Sequence, residues 1–427
     1  MSIIRNGILS ADLDVPVVLP TLNLDFANSQ SLDKRITFSR GSIGTRVNRN
    51  GLIETIPANQ PRFDFDPISG ECRGLLIEES RSNSSPYSDA ITTSNFYGFS
   101  NSTLTQVTTT TPISGLAIAT KVFLNVGANV GNSQNGFNFG AFSITNSTVY
   151  TQSIFVKASG SSVFRLRSNV TGQVFDIPIA GPAPTPTGTI TSCTVTPYPD
   201  GWSRISWTFT STTSTPGNRG DHWAMKPNIA DGSSGFLVTG AQLETGAFPT
   251  SYIPTTASTV TRSVDNAEMT GTNFSSWYNQ TEGTFLYNGT LPFITNDTTN
   301  RVPYGVSNGF SFANSMYVVK GNTSLGLSFN AINNNLNVSP FTSLPNMTSS
   351  KIKIASSVAP NNFYSCGYGG VVNKSSRTSA AIPPATRLTL GKEPWNTSPF
   401  NSIIGCINKF AYYPKALSPA ELQYLTQ

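Results

Sequence analysis

Alternation of apolar and polar residues with a period of two dominates the chain. The clearest segments are Tyr150–Lys157, Ser162–Arg167, Trp202–Phe209 and Gly235–Thr239. Because successive side chains of a β-strand point to opposite faces of the sheet, this period predicts strands. Short alternating runs separated by Gly, Pro, Asn and Asp are typical of sandwiches or barrels. The pattern therefore predicts an all-β fold.

The segment Trp202–Phe209 assigns its residues to two faces. One face would carry Trp202, Arg204, Ser206 and Thr208, and the other Ser203, Ile205, Trp207 and Phe209. The preceding Pro199-Asp200-Gly201 predicts a turn, because proline presets φ and glycine accepts a positive φ.

A convincing helix signal occurs once, near the C-terminal end of the sequence. Ser418 suits the N-cap, Pro419 the first helical position and Glu421 the third, which together form a capping box. The apolar residues that can dock this helix on a sheet are Leu417, Leu422 and Leu425. No repeat of 20–50 residues is visible, which argues against a β-helix.

Polar stretches divide the chain into three predicted modules. Linkers are expected at Ser80–Asp89 and Pro254–Thr259, which gives modules at residues 1–85, 86–262 and 263–427. The beginning of the first module carries few turn signals and reads as an extended arm.

The composition indicates a neutral, polar surface. Charged residues make up 11% of the chain, whereas about 25% is usual for a soluble protein. The net charge is +5 and no basic run is present, so we expect no nucleic-acid partner, because binding a phosphate backbone needs clustered positive charge. Such a surface suits packing in an assembly or contact with neutral sugars.

Cysteine and histidine chemistry is sparse. The cysteines are Cys72, Cys193, Cys366 and Cys406. None is spaced as Cys-x-x-Cys, so free thiols are the favoured interpretation, with a Cys366 to Cys406 disulfide as the alternative. With His222 as the single histidine, we expect neither a metal site nor a cofactor.

Targeting signals are not visible either. The first residues lack the apolar segment of a secretory signal, and no apolar run approaches the ~20 residues of a transmembrane helix. We therefore expect a protein made in a cytoplasm, with no membrane insertion.

Three segments resemble the N-terminal module of phage tail-fibre, head-fibre and minor virion proteins. They are Phe38–Val47, Pro61–Pro67 and Gly74–Asn83. In those proteins the string reads approximately Phe-x-Arg-Ala-Ser-x-Ala-Thr, then Pro-Arg-Phe-Asp, then Gly-Leu-Leu-Ile-Glu-x-x-Arg-x-Asn. Gly41 stands here where alanine is commoner, and the match covers residues 36–83.

Later segments extend the resemblance. Asp200–Arg204 and Gly240–Pro254 resemble strands of the jelly-roll, carbohydrate-binding-module-like domain that follows in such proteins. Ile403–Leu422 resembles the end of a concanavalin-A-like or laminin-G-like lectin sandwich. The resemblance implies tandem β-sandwiches, a jelly roll at 86–262 and a lectin-like sandwich at 263–427, after an N-terminal arm and virion-anchoring module and with one short C-terminal helix.

The resemblance also implies a role on the virion. The first hypothesis is a fibre or adhesin, made in the host cytoplasm, that forms a homotrimer, contacts other virion proteins and engages a host cell-surface polysaccharide. The alternative is a capsid or tail decoration, a head fibre or cement protein with a purely structural role. A capsule depolymerase is the third and least favoured hypothesis.

The densest charges admit two interpretations. The set comprises Arg62, Asp64, Asp66, Glu78, Glu79 and Arg81. Asp64 and Asp66 could act together as metal or acid–base carboxylates. The favoured interpretation is structural: Arg62 and Arg81 neutralise the two aspartates in a tight turn that begins at Asp66. In the family these residues recur as a structural signature.

Aromatic side chains are the natural sugar platform, because a pyranose face can stack on a ring. Candidates in predicted loops are His222, Trp223, Trp277, Tyr278, Tyr364, Tyr368 and Trp395. Of these, Trp395, Tyr364, Tyr368 and Trp223 are the predicted glycan-binding residues, although packing is the alternative fate for each. Trp395 is the strongest, because its loop is rich in hydrogen-bonding groups.

No catalytic residue is assigned, and we expect the protein not to be an enzyme. Glu268, Glu282, Glu393 and Glu421 are isolated, whereas a glycosidase needs two carboxylates at close spacing. A Gly-x-Ser-x-Gly elbow and a phosphate-binding glycine loop are absent from the sequence. Asp265 and Asp297 are too few and too far apart for calcium.

Overall fold

Strands make up most of the regular structure in the computed structural model of the protein. The structure describes residues 18–92, 97–98, 101–131, 135–138, 144–168, 171–212, 223–291, 299–321, 326–338, 342–343, 350–375, 381–395 and 405–427. The strands in the first half of the chain are β1 (Leu22–Asp25), β2 (Thr37–Ser39), β3 (Gly44–Val47), β4 (Ile53–Ile56), β5 (Arg62–Phe65), β6 (Cys72–Ile77), β7 (Arg81–Asn83), β8 (Tyr97–Gly98), β9 (Ser102–Thr108), β10 (Ile118–Leu124), β11 (Phe137–Asn138), β12 (Val149–Ser159), β13 (Val163–Ser168), β14 (Val174–Pro178), β15 (Ile190–Pro197) and β16 (Trp202–Thr210). Those in the second half are β17 (Trp223–Pro227), β18 (Gly235–Thr245), β19 (Val260–Arg262), β20 (Asn266–Thr270), β21 (Gly283–Thr290), β22 (Tyr304–Ser307), β23 (Ser315–Lys320), β24 (Leu327–Asn333), β25 (Leu336–Asn337), β26 (Thr342–Ser343), β27 (Lys351–Ala359), β28 (Asn362–Gly367), β29 (Asn373–Ser375), β30 (Arg387–Leu390) and β31 (Gly405–Tyr413). The helices are α1 (Phe26–Ser29), α2 (Thr272–Ser275) and α3 (Pro419–Thr426).

The chain forms two compact units. Unit 1 comprises the described parts of residues 1–37 and 267–427, and unit 2 comprises those of residues 38–266. The three predicted modules, 1–85, 86–262 and 263–427, stay a prediction, because this division does not test whether the first of them folds alone.

Unit 2 contains an antiparallel β-sandwich. One sheet has the order β15-β16-β12-β18-β10-β9 and the other β14-β13-β17-β11-β8. Phe164 of the second sheet packs on two rings of the first, with centroid distances of 5.9 Å to Trp207 and 5.1 Å to Phe236. The core therefore lies between the two sheets.

Strand β16 confirms the two-faced pattern of its sequence. Ile205, Trp207 and Phe209 enter the core between the sheets. The opposite face carries Trp202, which packs in a second buried cluster with Val47, Ile53, Ala119, Phe155, Tyr198 and Tyr252. Pro199–Gly201 forms the predicted turn as a 3-10 segment, in which Asp200 and Gly201 have φ values of 58° and 74°.

Unit 1 contains a second antiparallel sandwich. Within this unit, one sheet has the order β29-β28-β27-β21-β31, with β1 also paired to β31. The other runs β20-β30-β22-β23-β24-β25, with β26 paired to β24. Tyr304 of the second sheet and Phe410 of the first pack at 5.1 Å between ring centroids. The described part of the predicted N-terminal arm includes β1, which pairs with β31 in the first sheet.

The terminal helix confirms its sequence signal. The Ser418 side chain accepts from the Glu421 amide, and Glu421 accepts in return from the Ser418 amide. Leu417 and Leu422 are buried against the β21-β27-β28-β31 sheet, and Leu425 packs at the edge of the same cluster. The predicted all-β class, with sandwiches and one short C-terminal helix, is confirmed; α1 and α2 are single turns that periodicity did not indicate.

The four cysteines carry free thiols, as the favoured interpretation predicted. Within the described ranges, none of the helices has the length and apolarity needed to cross a bilayer.

Candidate functional site

Charged side chains from distant segments of unit 2 form a buried network. Arg62 Nη1 donates to Glu78 Oε2 at 2.8 Å, and its Nη2 pairs with Asp265. Arg40 Nη1 lies 3.1 Å from Asp265 Oδ1, and Arg262 Nη1 lies 3.1 Å from Glu78 Oε2. All five side chains are at most 2% exposed. The network therefore belongs to the interior of unit 2.

Electrostatics keep this network ionised. Burial alone would raise the pKa of Glu78, but the guanidinium groups of Arg262 and Arg62 and hydrogen bonds from Ser251 bring that pKa down to about 2. Burial likewise opposes the charge of Arg62, yet Asp265 and Glu78 hold its pKa above the ordinary value. A structural role for Arg62 and Glu78 agrees with this arrangement.

The partners of the two signature aspartates differ from the predicted ones. Arg73, and neither Arg62 nor Arg81, lies against both: its Nη2 is 2.7 Å from Asp66 Oδ2 and its Nη1 is 3.8 Å from Asp64 Oδ2. Arg81 instead pairs with Glu79. The predicted neutralisation by Arg62 and Arg81 was therefore wrong, because β6 places Arg73 between the two carboxylates.

Asp66 does begin a turn, as predicted. Its Oδ1 accepts from the amides of Ile68 at 3.0 Å and Ser69 at 2.9 Å. Partial burial would raise the pKa of Asp66, but these two amides and Arg73 lower it to about 2. Asp66 is therefore a turn-capping residue.

Aromatic rings gather around Trp395 on the outer face of the β20-β30-β22-β23 sheet. The Trp395 ring lies 4.6 Å from Tyr317 and 4.9 Å from Phe312, both in edge-to-face contact. Phe312 comes from the β22–β23 loop and is 45% exposed. Such contacts order the rings and leave an apolar surface open to solvent.

Gly305 allows Trp395 to lie on this sheet. It pairs with Tyr317 across β22 and β23. A Cβ on Gly305 would come within 2.6 Å of Pro394 and 3.3 Å of Tyr317. The missing side chain thus lets the segment after β30 cross close to the sheet and set its indole on Tyr317.

A buried arginine supports a further exposed ring, which comes from the same β22–β23 loop as Phe312. Arg387, opposite Ser307 on the same face, pairs with Glu268, and its guanidinium lies 4.0 Å from the centroid of Phe310. Phe310 is nevertheless 60% exposed. We refer to Phe310, Phe312, Tyr317, Arg387 and Trp395 as the Trp395 cluster.

Of the predicted aromatic candidates, Trp395 is the one found in this cluster. Tyr364 lies on β28 in the other sheet, with the Lys374 ammonium 5.6 Å from its ring. Tyr368 follows β28 at a φ of 55°, and its hydroxyl donates to the Lys351 carbonyl at 2.9 Å. The structure does not join either tyrosine to Trp395.

The other candidates have different fates. Trp277 is 3% exposed and donates its indole N–H to the Asn273 carbonyl, so it is a core residue. Tyr278 stacks in the same interior, 4.7 Å from Phe274. Trp223 begins β17, but its side chain, like all of His222, lies outside the described part of the structure.

Sequence reasoning missed four members of the cluster, Phe310, Phe312, Tyr317 and Arg387. A signal was present for two of them, because Phe310 and Phe312 are large apolar residues within the turn-rich segment Asn308–Asn314. Tyr317 and Arg387 lie in strands, where an aromatic or a long side chain is unremarkable.

The described residues contain no group of three His, Cys, Asp or Glu side chains arranged to hold a metal ion. Asp297, considered above as a calcium ligand, lies outside the described residues.

Comparison with known proteins gives distant likenesses only. No family model matches the chain, and no curated protein matches it. A carbohydrate-binding module of a Ruminococcus gnavus sialidase, bound to α2,6-sialyllactose, shares 13% identity over 36% of this chain and 88% of its own, with a TM-score of 0.31. A tandem carbohydrate-binding module of Paenibacillus barcinonensis Xyn10C shares 8% identity over 81% and 99%, with a TM-score of 0.24. Trypanosoma rangeli sialidase shares 10% over 76% and 53%, with a TM-score of 0.29. At such scores these likenesses do not bear on what this chain binds.

Proposed function

We propose that this protein is a bacteriophage fibre or adhesin that holds a host surface polysaccharide on the Trp395 cluster. The observation that carries the proposal is the exposure of two rings of one loop, Phe310 at 60% and Phe312 at 45%, of which Phe312 packs on the Trp395 indole. Rigid rings bind a sugar face at little cost in conformational entropy. The resemblance of residues 36–83 to virion proteins supports the setting.

Arg387 places a positive charge beneath this apolar surface. Its guanidinium is held by Glu268 and covered by Phe310, so the ring has a cation behind its π-face. Hydroxyl groups of a bound sugar would then meet polar atoms at the rim while the sugar face stacks on the rings.

We further propose that the protein acts by binding and not by turnover. Glu268 is committed to an ion pair with Arg387, and Glu393 is 8% exposed. Hydrolysis of a glycosidic bond requires two carboxyl groups free to reach one bond. Release of reducing sugar that disappears when one carboxylate is removed would refute this part of the proposal.

A glycan array tests the site. The wild-type chain is compared with Trp395→Ala and Phe310→Ala, and Tyr424→Ala is the control, because Tyr424 is a 40% exposed aromatic outside the cluster. Loss of a central aromatic contact is expected to weaken binding at least tenfold. Unchanged glycan binding in both cluster variants would remove the Trp395 cluster from consideration.

A second test separates the adhesin from a decoration protein. We propose that the chain forms a homotrimer, which light scattering on the purified protein can test. The purified protein should also bind host cells and compete with phage adsorption. Phage that lack the protein but adsorb normally would instead favour the decoration role.

A further inference from the structure

Unit 2 contains a half-open cleft of ≈ 250 Å³ beside its charged network. Its lining residues come from β3, β4, β5, β6, β15 and β16, from the positions that follow β6 and β15, and from the segment 249–252. Ligand sites for drug-sized molecules usually measure about 300–1,000 Å³, so this cleft suits a smaller ligand.

A β-bulge shapes one side of the cleft. Asp64 pairs with Gly74 and Phe65 with Cys72, so the register shifts by one residue and Arg73 is the bulged position. Gly74 accommodates the distortion with a φ of 100°. Bulges of this kind redirect a side chain, and here the bulge brings the Arg73 guanidinium to the two aspartates.

Asp64 is a buried carboxylate with unused acceptor capacity. One oxygen accepts from the Val47 amide at 2.8 Å, and the other is 3.8 Å from Arg73 Nη1, too long for a hydrogen bond. A carboxylate can accept about four hydrogen bonds. A ligand hydroxyl placed next to both side chains could donate its O–H to Asp64 and accept from Arg73, which would link the two groups as a bridging water does.

Two more polar groups in the cleft are similarly incomplete. The Tyr198 ring packs edge-on against Phe155, and its hydroxyl has no hydrogen bond to any described residue. Arg204 donates to the Thr250 carbonyl at 2.8 Å and to Ser153 Oγ at 3.0 Å, both neutral, and no described carboxylate pairs with it. Asp64, Tyr198 and Arg204 all line the same cleft.

We propose that this cleft binds one neutral sugar residue through its hydroxyl groups. One hydroxyl would donate to Asp64 and accept from Arg73, and others would meet Arg204 and the Tyr198 hydroxyl. We expect a neutral ligand because the lining brings Asp64, a carboxylate with spare acceptor capacity, together with the guanidinium of Arg204. A charged sugar would be attracted by one of these groups and repelled by the other. The aromatic rings of the cleft are packed edge-on or buried, so the ligand would be recognised by hydrogen bonds and not by stacking.

This second site does not rest on the function proposed for the Trp395 cluster. The two sites share no residue, and each lies within one unit. Trp395→Ala should leave the cleft intact, and Asp64→Asn should leave the glycan-array pattern of the Trp395 cluster intact, so the two proposals fail separately.

Fluorine NMR on the full chain locates the binding. The tyrosines are replaced by 3-fluorotyrosine, and the Tyr198 resonance is assigned from the Tyr198→Phe variant. The probes are the methyl glycosides of glucose, galactose, mannose and N-acetylglucosamine, with glucuronate as the charged comparison. We expect at least one neutral glycoside to shift the Tyr198 resonance in a saturable manner.

Affinities from saturation-transfer NMR then identify the groups that bind. Asp64→Asn is expected to weaken binding at least tenfold, which corresponds to 1.4 kcal/mol, and Tyr198→Phe severalfold. The controls are Asp176→Asn and Tyr150→Phe, matched changes in unit 2 outside the cleft. No shift of Tyr198 with any neutral glycoside, binding of glucuronate alone, or full affinity in Asp64→Asn would each overturn the proposal.

Discussion

Replacing Asp265 by asparagine should be among the most destabilising changes in unit 2. The carboxylate pairs with Arg62, lies 3.1 Å from Arg40 and accepts the Glu78 amide at 2.9 Å. Asparagine keeps the volume but removes the charge. Glu78 would then be the one carboxylate left among the five network residues, facing Arg40, Arg62 and Arg262.

The expected loss of stability follows from the burial of the charged residues that remain in the network. Arg40 would keep its hydrogen bonds to the Ser42, Ile56, Pro57 and Gln60 carbonyls. Its charge, however, would be neither solvated nor paired. Removing one partner of a buried ion pair costs about 3–5 kcal/mol, a large share of the roughly 5–15 kcal/mol that stabilises a domain.

A urea titration read by hydrogen exchange and mass spectrometry measures this loss in unit 2 alone, through peptides from β12 and β16. With about 1–3 kcal/mol per molar urea, the midpoint should fall by at least ~1 M. Asp176→Asn is the control, because Asp176 is 41% exposed in its pair with Arg165 and such pairs contribute less than about 1 kcal/mol. If Asp265→Asn costs no more than this control, the network does not carry the stability assigned to it.

Three further outcomes depend on single groups. Ser418→Ala removes the α3 cap and should cost unit 1 about 1 kcal/mol in urea; no loss would contradict the capping role. Glu78 has a folded pKa of about 2 against an ordinary 4.5, so the stability it confers is complete above pH 4.5 and is lost as the pH falls toward 2. The melting temperature of Glu78→Gln should accordingly fall less steeply than that of wild type as the pH is lowered toward 2. Burial, opposed by the Val47 amide and Arg73, raises the pKa of Asp64 from 3.8 to about 6, so its contribution is complete below pH 3.8 and is lost as the pH rises through 6. Asp64→Asn should therefore be more stable than wild type at pH 7.5, by about 3 kcal/mol, and lose that advantage at pH 4.

Local patterns were sufficient to predict most of the framework. The alternation in Trp202–Phe209 is a direct consequence of β16 lying between two apolar layers, one on each face. The C-terminal helix was equally readable, because Ser418 and Glu421 satisfy each other within one turn. Single-turn helices such as α1 escaped prediction, since four residues are too few for a helical period.

The charge partners could not be predicted for a different reason. Arg40 and Asp265 are separated by 225 positions and Arg62 and Asp265 by 203. Sequence reasoning paired the signature charges with their near neighbours, whereas the fold brings Asp265 and Arg262 in from the other end of unit 2. Arg73 was passed over because a bulge, not strand alternation, sets its direction.

The Trp395 cluster shows the same limit on aromatic residues. Exposure of an aromatic ring depends on what lies against it, and Trp395 meets Tyr317 because Gly305 leaves the sheet bare at that point. The same reasoning placed Trp277 in a loop, yet its neighbours Phe274 and Tyr412 enclose it. A residue type alone therefore cannot separate a sugar platform from a core residue.

Asp64 and Glu78 show how one signature can serve two purposes. Both are buried carboxylates, Asp64 in β5 and Glu78 directly after β6. Glu78 is surrounded by Arg62, Arg262 and Ser251, whereas Asp64 has one amide and a distant guanidinium. Burying a carboxylate without full compensation costs stability, so an arrangement selected for folding alone would favour a neutral residue at position 64. A carboxylate that lines a cleft and accepts a single amide hydrogen bond is better explained by a ligand that completes its hydrogen bonds.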